Sequence, residues 1–139
     1  MSRAALFYQR QKDAAQAQVG DPCVLETKVN GVTFDDCPRV VATLKVGDRM
    51  VLCREPYNQK DYNAIRVQTR GGEKAGYVPA PLAARLTPIM ASHGVAALPA
   101  TVLSLTGDPA KGYTRGFTVG FSSLAPLPLE NQVVEELDI

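Results

Sequence analysis

Residues 54–66 contain the side chains whose types and spacing could do chemistry, because both charge signs, amides and aromatic rings occur together there. No side chain from 57 to 62 is aliphatic, whereas the flanking residues 50–52 and 64–67 contain the apolar positions typical of buried strands. A polar loop between two core strands often presents a binding site. Asn and Asp also stabilise ordinary turns by bonding nearby backbone, so a structural turn explains the same composition. Both interpretations stay open at this point.

Single-stranded nucleic acid is bound by a cationic track combined with aromatic faces on which bases stack. The chain carries both kinds of side chain in and around the polar loop. A carboxylate such as Asp61 repels phosphate, so turn capping is the competing interpretation for Asp61 and Asn63. The candidate site residues, with Arg66 as a further cation, are Lys28, Arg54, Tyr57, Asn58, Lys60, Asp61, Tyr62, Asn63, Tyr77 and Tyr113.

Catalytic and metal-binding motifs are not found in this sequence. It contains no G-x-S-x-G, H-E-x-x-H, P-loop or G-x-G-x-x-G, and His93 is its single histidine. The three cysteines are odd in number and lack C-x-x-C spacing, which argues against zinc. Nothing in the sequence brings three of the aspartates at 35, 36, 48 and 61 together for Mg²⁺. We therefore expect a non-enzymatic protein with no catalytic residues, no metal and no cofactor.

The charge distribution is uneven along the 139 residues. Residues 1–122 hold 15 basic and 10 acidic residues, a net charge of +5, whereas residues 123–139 hold 4 acidic and no basic residues. A basic body suits a phosphate backbone. No apolar run approaches the roughly 18 residues that span a bilayer, and the N-terminus lacks the apolar segment of a signal peptide. We expect a cytoplasmic protein with reduced thiols and no membrane contact.

Short strands separated by glycine turns predict an all-β fold with one or two short helices, built as a small antiparallel barrel. Residues 32–34 are interpreted as a short extension of the first strand. The domain itself is predicted over 22–122, preceded by an N-terminal arm or weak helix at 1–21 and followed by an acidic, proline-containing tail at 123–139. The predicted strands are 23–29, 40–44, 49–54, 63–69, 74–78, 95–105 and 113–121.

A helix is predicted over residues 79–91. Pro81 fits its first turn, Gly94 fits a left-handed cap after its end, and Pro88 is expected to kink or interrupt it. Its predicted apolar face consists of Leu82, Leu86, Ile89 and Met90.

Four sequence blocks carry a family resemblance. They are Thr27-x-Val29-x-Gly31-Val32, Leu44-x-x-Gly47-Asp48, Arg54-Glu55-Pro56 with Asn58-x-x-Asp61-x-Asn63-Ala64-Ile65-x-Val67, and Ala75-Gly76-Tyr77-Val78-Pro79 with Leu82-Ala83-x-x-Leu86-x-Pro88. In order and spacing this pattern, from about Val24 to Phe121, resembles the HIRAN family.

The resemblance implies a compact SH3-like or OB-like β-barrel that binds single-stranded DNA at a free 3′ end. HIRAN domains occur as the N-terminal module of SWI/SNF-type fork-remodelling helicases and as small free-standing bacterial and phage proteins. For Asp61, the resemblance implies that its carboxylate accepts a hydrogen bond from the terminal sugar hydroxyl, with the Asn58 amide beside it. This chain departs from the pattern at three positions, with lysine where aromatic rings are expected at Lys28 and Lys60, and Ala80 where a basic residue is expected.

Two functions follow as hypotheses. The first is a non-enzymatic module for single-stranded DNA or DNA 3′ ends, linked to repair, replication or mobile-element and defence processes. The second is a protein-interaction adaptor of phage or mobile-element origin that engages a DNA-processing or defence factor.

Overall fold

The computed structural model describes residues 23–112 and 115–127. Its six strands form one antiparallel sheet in the order β1-β6-β5-β2-β3-β4. Two helices and a single 3-10 turn, Pro109–Lys111, join the strands. The elements are β1 Val24–Lys28, α1 Cys37–Val41, β2 Arg49–Arg54, β3 Ile65–Thr69, β4 Lys74–Tyr77, α2 Ala80–Ser92, β5 Ala97–Thr106 and β6 Gly116–Ser122.

The sheet curls, and one isolated pair of residues links its two edges. Just beyond β1, the N–H of Asn30 donates to the Tyr77 carbonyl and the N–H of Tyr77 donates to the Asn30 carbonyl, both at 2.8 Å. The fold is therefore a curled half-barrel, mostly β and OB-like, as the sequence predicts.

Alternating side chains fill the inside of the curl. Phe117, Val119 and Phe121 of β6 are all buried, which confirms the alternation predicted for the last strand. Leu52 of β2 and Val67 of β3, which pair directly, are completely buried beside them. This period-two burial defines the core face of the sheet.

Pro99 lies inside β5 without breaking the sheet. β5 pairs with β2 over residues 97–101 and with β6 over residues 101–106, so it passes from one neighbour to the other. Pro99 falls in the part of β5 that has only β2 beside it, where its missing N–H removes no second ladder bond.

Helix α2 ends in a Schellman motif, because Gly94 has a positive φ of 67°. The N–H of Gly94 donates to the Ala91 carbonyl at 3.0 Å, and the N–H of Val95 donates to the Met90 carbonyl at 2.8 Å. This geometry confirms the predicted left-handed cap.

Helix α2 runs without a break through Pro88, which excludes the predicted interruption there. Pro88 is exposed, so water can satisfy the carbonyl that loses its N–H partner. The buried face is also rotated by about one residue, since Leu82 and Ile89 are only partly buried. Its buried members are Ala83, Leu86, Thr87 and Met90.

The strand predicted at 40–44 is wrong, because this segment belongs to helix α1 and the turns after it. Pro38 occupies the first turn of α1, where a missing N–H costs nothing. Cys37, Val40 and Val41, at i, i+3 and i+4, are buried, and the helix packs against β4. Tertiary burial thus overrides the β-propensity of two adjacent valines. Residues 32–34, predicted as a strand extension, are turn and bend.

The chain continues beyond β6 in contact with the barrel. Ser123 is buried and its N–H donates to the Cys23 carbonyl at 2.7 Å, while Leu127 packs against the core. Outside the described residues lie 128–139 of the predicted acidic tail, the predicted arm at 1–21 and Tyr113. No helix in the described part of the chain is both long and apolar enough to cross a bilayer.

Gly76 permits the close approach of backbone where the curl closes. A Cβ at this position would lie 2.5 Å from the Asn30 carbonyl oxygen and 2.6 Å from Cγ1 of Val29. The Asn30 carbonyl oxygen accepts the N–H of Tyr77, so it cannot move away without weakening the closure.

We predict that Gly76→Ala lowers the free energy of unfolding by about 1–3 kcal/mol, the usual cost of overpacking a close-packed site. The matched control is Gly71→Ala in the nearby hairpin, where the nearest atom to the new Cβ is 3.7 Å away. Denaturant melts of both variants check the prediction. Equal stability of the two variants would show that the closure tolerates a side chain.

Candidate functional site

A groove of about 330 Å³ opens where the curl closes. Three segments form its walls: the turn after β1, the polar loop between β2 and β3, and the junction of β4 with α2. The lining residues are Asn30, Gly31, Phe34, Asn58, Lys60, Asp61, Ala64, Tyr77, Val78 and Ala80.

The Glu55 carboxylate joins two of these walls. Its residue is only 6% exposed, and its Oε1 accepts hydrogen bonds from the Tyr77 hydroxyl at 2.9 Å and from Nδ2 of Asn58 at 3.1 Å. A buried carboxylate is tolerated only when donors replace the water that it loses. The polar loop is consequently attached to β4 by side-chain hydrogen bonds as well as by the sheet.

Asn58 organises the loop from within. Its Oδ1 accepts the backbone N–H of Lys60 at 2.9 Å and that of Asp61 at 3.3 Å, while its Nδ2 donates to Glu55. Acceptor and donor partners on opposite sides of the amide define its orientation. These hydrogen bonds hold the backbone of the loop around the Asn58 side chain.

Asp61 caps a turn and lines the groove at the same time. Its Oδ1 accepts the backbone N–H of Asn63 at 2.9 Å, the turn-capping contact expected of an aspartate in such a loop. Asp61 is half-buried and forms part of the groove wall. Helix α2 holds the same turn from the other side, because the Thr87 hydroxyl donates to the Asn63 carbonyl at 2.8 Å.

Tyr77 carries the polar network to the opposite side of the groove. Burial raises the pKa of its hydroxyl, and the hydrogen bond to Glu55 raises it further, so the hydroxyl remains a donor at neutral pH. Nζ of Lys74 lies 5.6 Å from the centre of the Tyr77 ring and 2.7 Å from Oδ2 of Asp35. The hydrogen bond from Lys74 lowers the pKa of the Asp35 carboxyl, so this pair is charged at neutral pH.

Four of the ten sequence-predicted site residues line the groove, namely Asn58, Lys60, Asp61 and Tyr77. Lys28 is exposed on β1 and Arg54 is half-buried at the end of β2. Tyr57 and Tyr62 are 75% and 69% exposed. These four and Asn63 lie in the described structure outside the groove lining, whereas Tyr113 is not among the described residues.

Sequence reasoning missed Phe34, which lines the groove with a side chain that is 69% exposed. The sequence predicts a strand extension over residues 32–34, where an aromatic residue is ordinary. The available indication was its position three residues after Gly31, in a polar turn that gives an aromatic ring no core to enter.

The groove wall formed by the polar loop carries two opposite charges, the Lys60 ammonium and the Asp61 carboxylate. Among residues 23–112 and 115–127, no three His, Cys, Asp or Glu side chains come together in a way that could hold a metal ion. The groove is thus lined by apolar surface, one cation, one anion and amides, which suits a ligand with both a flat apolar part and polar ends.

Fold and groove together define a small OB-like binding domain. A family model described as the HIRAN domain matches residues 23–122, so the chain belongs to the HIRAN family. This confirms the resemblance that the sequence blocks carry.

Solved structures agree with this assignment. The chain is similar to a protein from Lactobacillus plantarum with 30% identity and a TM-score of 0.54, covering 71% of this chain and 94% of that one. It is also similar in fold to the HIRAN domain of human HLTF, with 22% identity and a TM-score of 0.54, covering 73% of this chain and 77% of that one. Among curated proteins, none matches this chain.

We predict that Asn58→Asp lowers the free energy of unfolding by about 1.5–3 kcal/mol at neutral pH, the range for hydrogen bonds to charged groups. The substitution keeps the shape and the acceptor oxygen but replaces the donor to Glu55 with a second carboxylate. The like charge of the new carboxylate beside Glu55 adds to the loss.

Gln59→Glu serves as the matched control, because Gln59 is exposed in the same loop and the change adds the same charge. Its effect should stay within about 0.5 kcal/mol. Thermal melts at neutral pH compare the two variants. An Asn58→Asp protein as stable as Gln59→Glu would contradict the proposed role of the Glu55 network.

Proposed function

We propose that the protein is a nucleic-acid-binding module that holds single-stranded DNA, and in particular a free 3′ end, in the groove between the polar loop and β4. Membership of the HIRAN family supports nucleic-acid binding in general. The observation that carries the finer proposal is the groove itself, which combines aromatic side chains with Lys60 and Asp61 on a loop held by Glu55.

The size of the groove supports a small occupant. Ligand pockets for drug-sized molecules span roughly 300–1,000 Å³, and this groove lies near the lower limit at about 330 Å³. Such a space suits one base with its sugar rather than a stretch of duplex. The occupant is thus a terminal or extruded nucleotide, with the rest of the strand running over the surface.

Charge supports a strand end over an internal position. An internal nucleotide would bring phosphates on both sides of its sugar towards the Asp61 carboxylate, which repels them. A terminal 3′-hydroxyl instead donates a hydrogen bond to that carboxylate, while Lys60 on the same wall attracts the preceding phosphate. The net charge of +5 over residues 1–122 adds a general attraction that salt weakens.

We predict that Asp61→Asn weakens binding of a 3′-hydroxyl strand by about 1 kcal/mol, the difference between charged and neutral hydrogen bonds. The same change should strengthen binding of a 3′-phosphate strand, because the repelling charge is gone. Asparagine keeps the oxygen that caps Asn63, so the loop is preserved. Fluorescence anisotropy with labelled single strands at low salt measures both affinities.

Asp108→Asn is the control, since Oδ1 of Asp108 accepts the N–H of Ala110 in the same capping geometry, in a loop away from the groove. Asp108→Asn should affect both strand ends alike. If Asp61→Asn also changes both affinities in the same direction, end recognition by Asp61 is rejected. If the wild-type protein binds neither strand at low salt, the nucleic-acid proposal itself is rejected.

The second candidate is a protein-interaction adaptor, which the exposed rings of Tyr57 and Tyr62 favour. Exposed tyrosines are enriched in protein interfaces, and both residues belong to the same loop as Asn58 and Asp61. Double substitution of Tyr57 and Tyr62 by Ser should leave strand binding unchanged under the first proposal. We propose that either function serves repair, replication, or mobile-element and defence processes, and that both work by binding rather than by catalysis.

A further inference from the structure

Phe34 is unusual among the lining residues because its ring is largely in water. The side chain is 69% exposed although it forms part of the groove wall. A single exposed apolar residue on a flat surface means little. A ring that faces a concave site beside charged groups is different, because any flat ligand entering the site removes that ring from water.

The segment that carries Phe34 is held in place from several directions. Gly31 adopts a positive φ of 74°, and its carbonyl accepts the N–H of Phe34 at 3.1 Å. The carbonyl of Phe34 accepts the N–H of Cys37 at the start of α1, at 3.0 Å. Asp35, with a φ of 53°, is tied to Lys74 of β4. These contacts fix the backbone of the turn on both sides of Phe34, so the side chain starts from a defined place at the groove.

Phe34 and Tyr77 belong to different walls of the groove, but their rings approach each other near Gly31. A Cβ built on Gly31 would lie 3.7 Å from Cδ2 of Phe34 and 3.8 Å from Cδ2 of Tyr77, so both rings reach the same point. Lys60 and Asp61 contribute to the same groove. The arrangement places an aromatic surface and the groups suited to sugar and phosphate around one small space.

We infer that Phe34, supported by Tyr77, is the stacking surface for the terminal base of the bound strand. The inference rests on the proposed function and specifies which side chain supplies base affinity there. The resemblance to HIRAN domains implies rings at the positions of Lys28 and Lys60, but Lys28 lies outside the groove lining and neither lysine has a stacking face. In this chain the ring comes from the turn after β1 instead. Stacking tolerates any base, because every base has a π-face.

The test is a double-mutant cycle between Phe34 and the terminal base. Labelled strands of about ten nucleotides, with and without the base at the 3′-terminal position, are titrated into each protein. For the wild type, loss of the terminal base should lower affinity by about 5- to 150-fold, as expected for stacking on one base. Phe34→Ala should lower affinity for the intact strand by a similar factor and should no longer respond to loss of the base.

Three further variants make the result decisive. Phe34→Tyr keeps a ring, so its affinity should still fall when the terminal base is removed. Phe34→Leu keeps apolar volume without a ring, so its affinity should no longer depend on that base. Tyr62→Ala removes a ring of the same 69% exposure from outside the groove lining and should keep the response. Melting curves establish that each variant is folded.

The outcomes separate this inference from the proposed function. If the wild type binds both strands and Phe34→Ala still responds to the missing base as the wild type does, the inference is overturned while strand binding stands. The same holds if Tyr62→Ala rather than Phe34→Ala abolishes the response. If the wild type binds neither strand, the proposed function and this inference fail together.

Discussion

The Glu55 carboxylate is the constraint on which the groove depends. It is buried, so its charge requires donors, and the donors come from Tyr77 on β4 and Asn58 in the polar loop. Removing either donor would leave a buried charge under-satisfied, which costs more than the hydrogen bond itself contributes. Satisfying this one group therefore fixes the loop, the tyrosine and the space between them before a ligand is present. Preorganisation of this kind reduces the ordering cost of binding.

Closure of the sheet brings the third wall to the same place. Asn30 and Tyr77 exchange two backbone hydrogen bonds, and Gly76 leaves room for that crossing. The turn that carries Phe34 thus reaches the loop that carries Asp61, although the two residues are far apart in the chain. The ion pair of Asp35 with Lys74 links this turn to the Tyr77 ring, so one continuous set of contacts runs around the groove from Asp35 to Asp61. The site is a consequence of how the barrel closes rather than of any single motif.

Elements with a strong periodic pattern could be predicted from the sequence, whereas elements decided by tertiary contacts could not. The β2 strand was predicted at its observed limits, and β6 buries its alternating phenylalanines as expected. Helix α1 was missed because adjacent valines favour a strand locally, and only packing against β4 selects the helix. Phe34 was missed for a similar reason, since no periodicity distinguishes a ring in a groove from a ring in a strand. Asn58, Lys60 and Asp61 were found together because they are neighbours in sequence, but which way Lys28 faces depends on a strand register that sequence defines weakly.

The central claim is that a single strand enters the groove between the polar loop and β4, and amide chemical shifts measured during a titration with single-stranded DNA test it most directly. The account predicts that the largest shift changes fall in residues 30–34, 58–64 and 76–78, with smaller changes over the outer strands. The affinity for the strand should fall as salt is added, because phosphate contacts release counterions. Shift changes confined to other surfaces, such as β1 and the exposed end of α2, or no changes at all at low salt, would contradict the account.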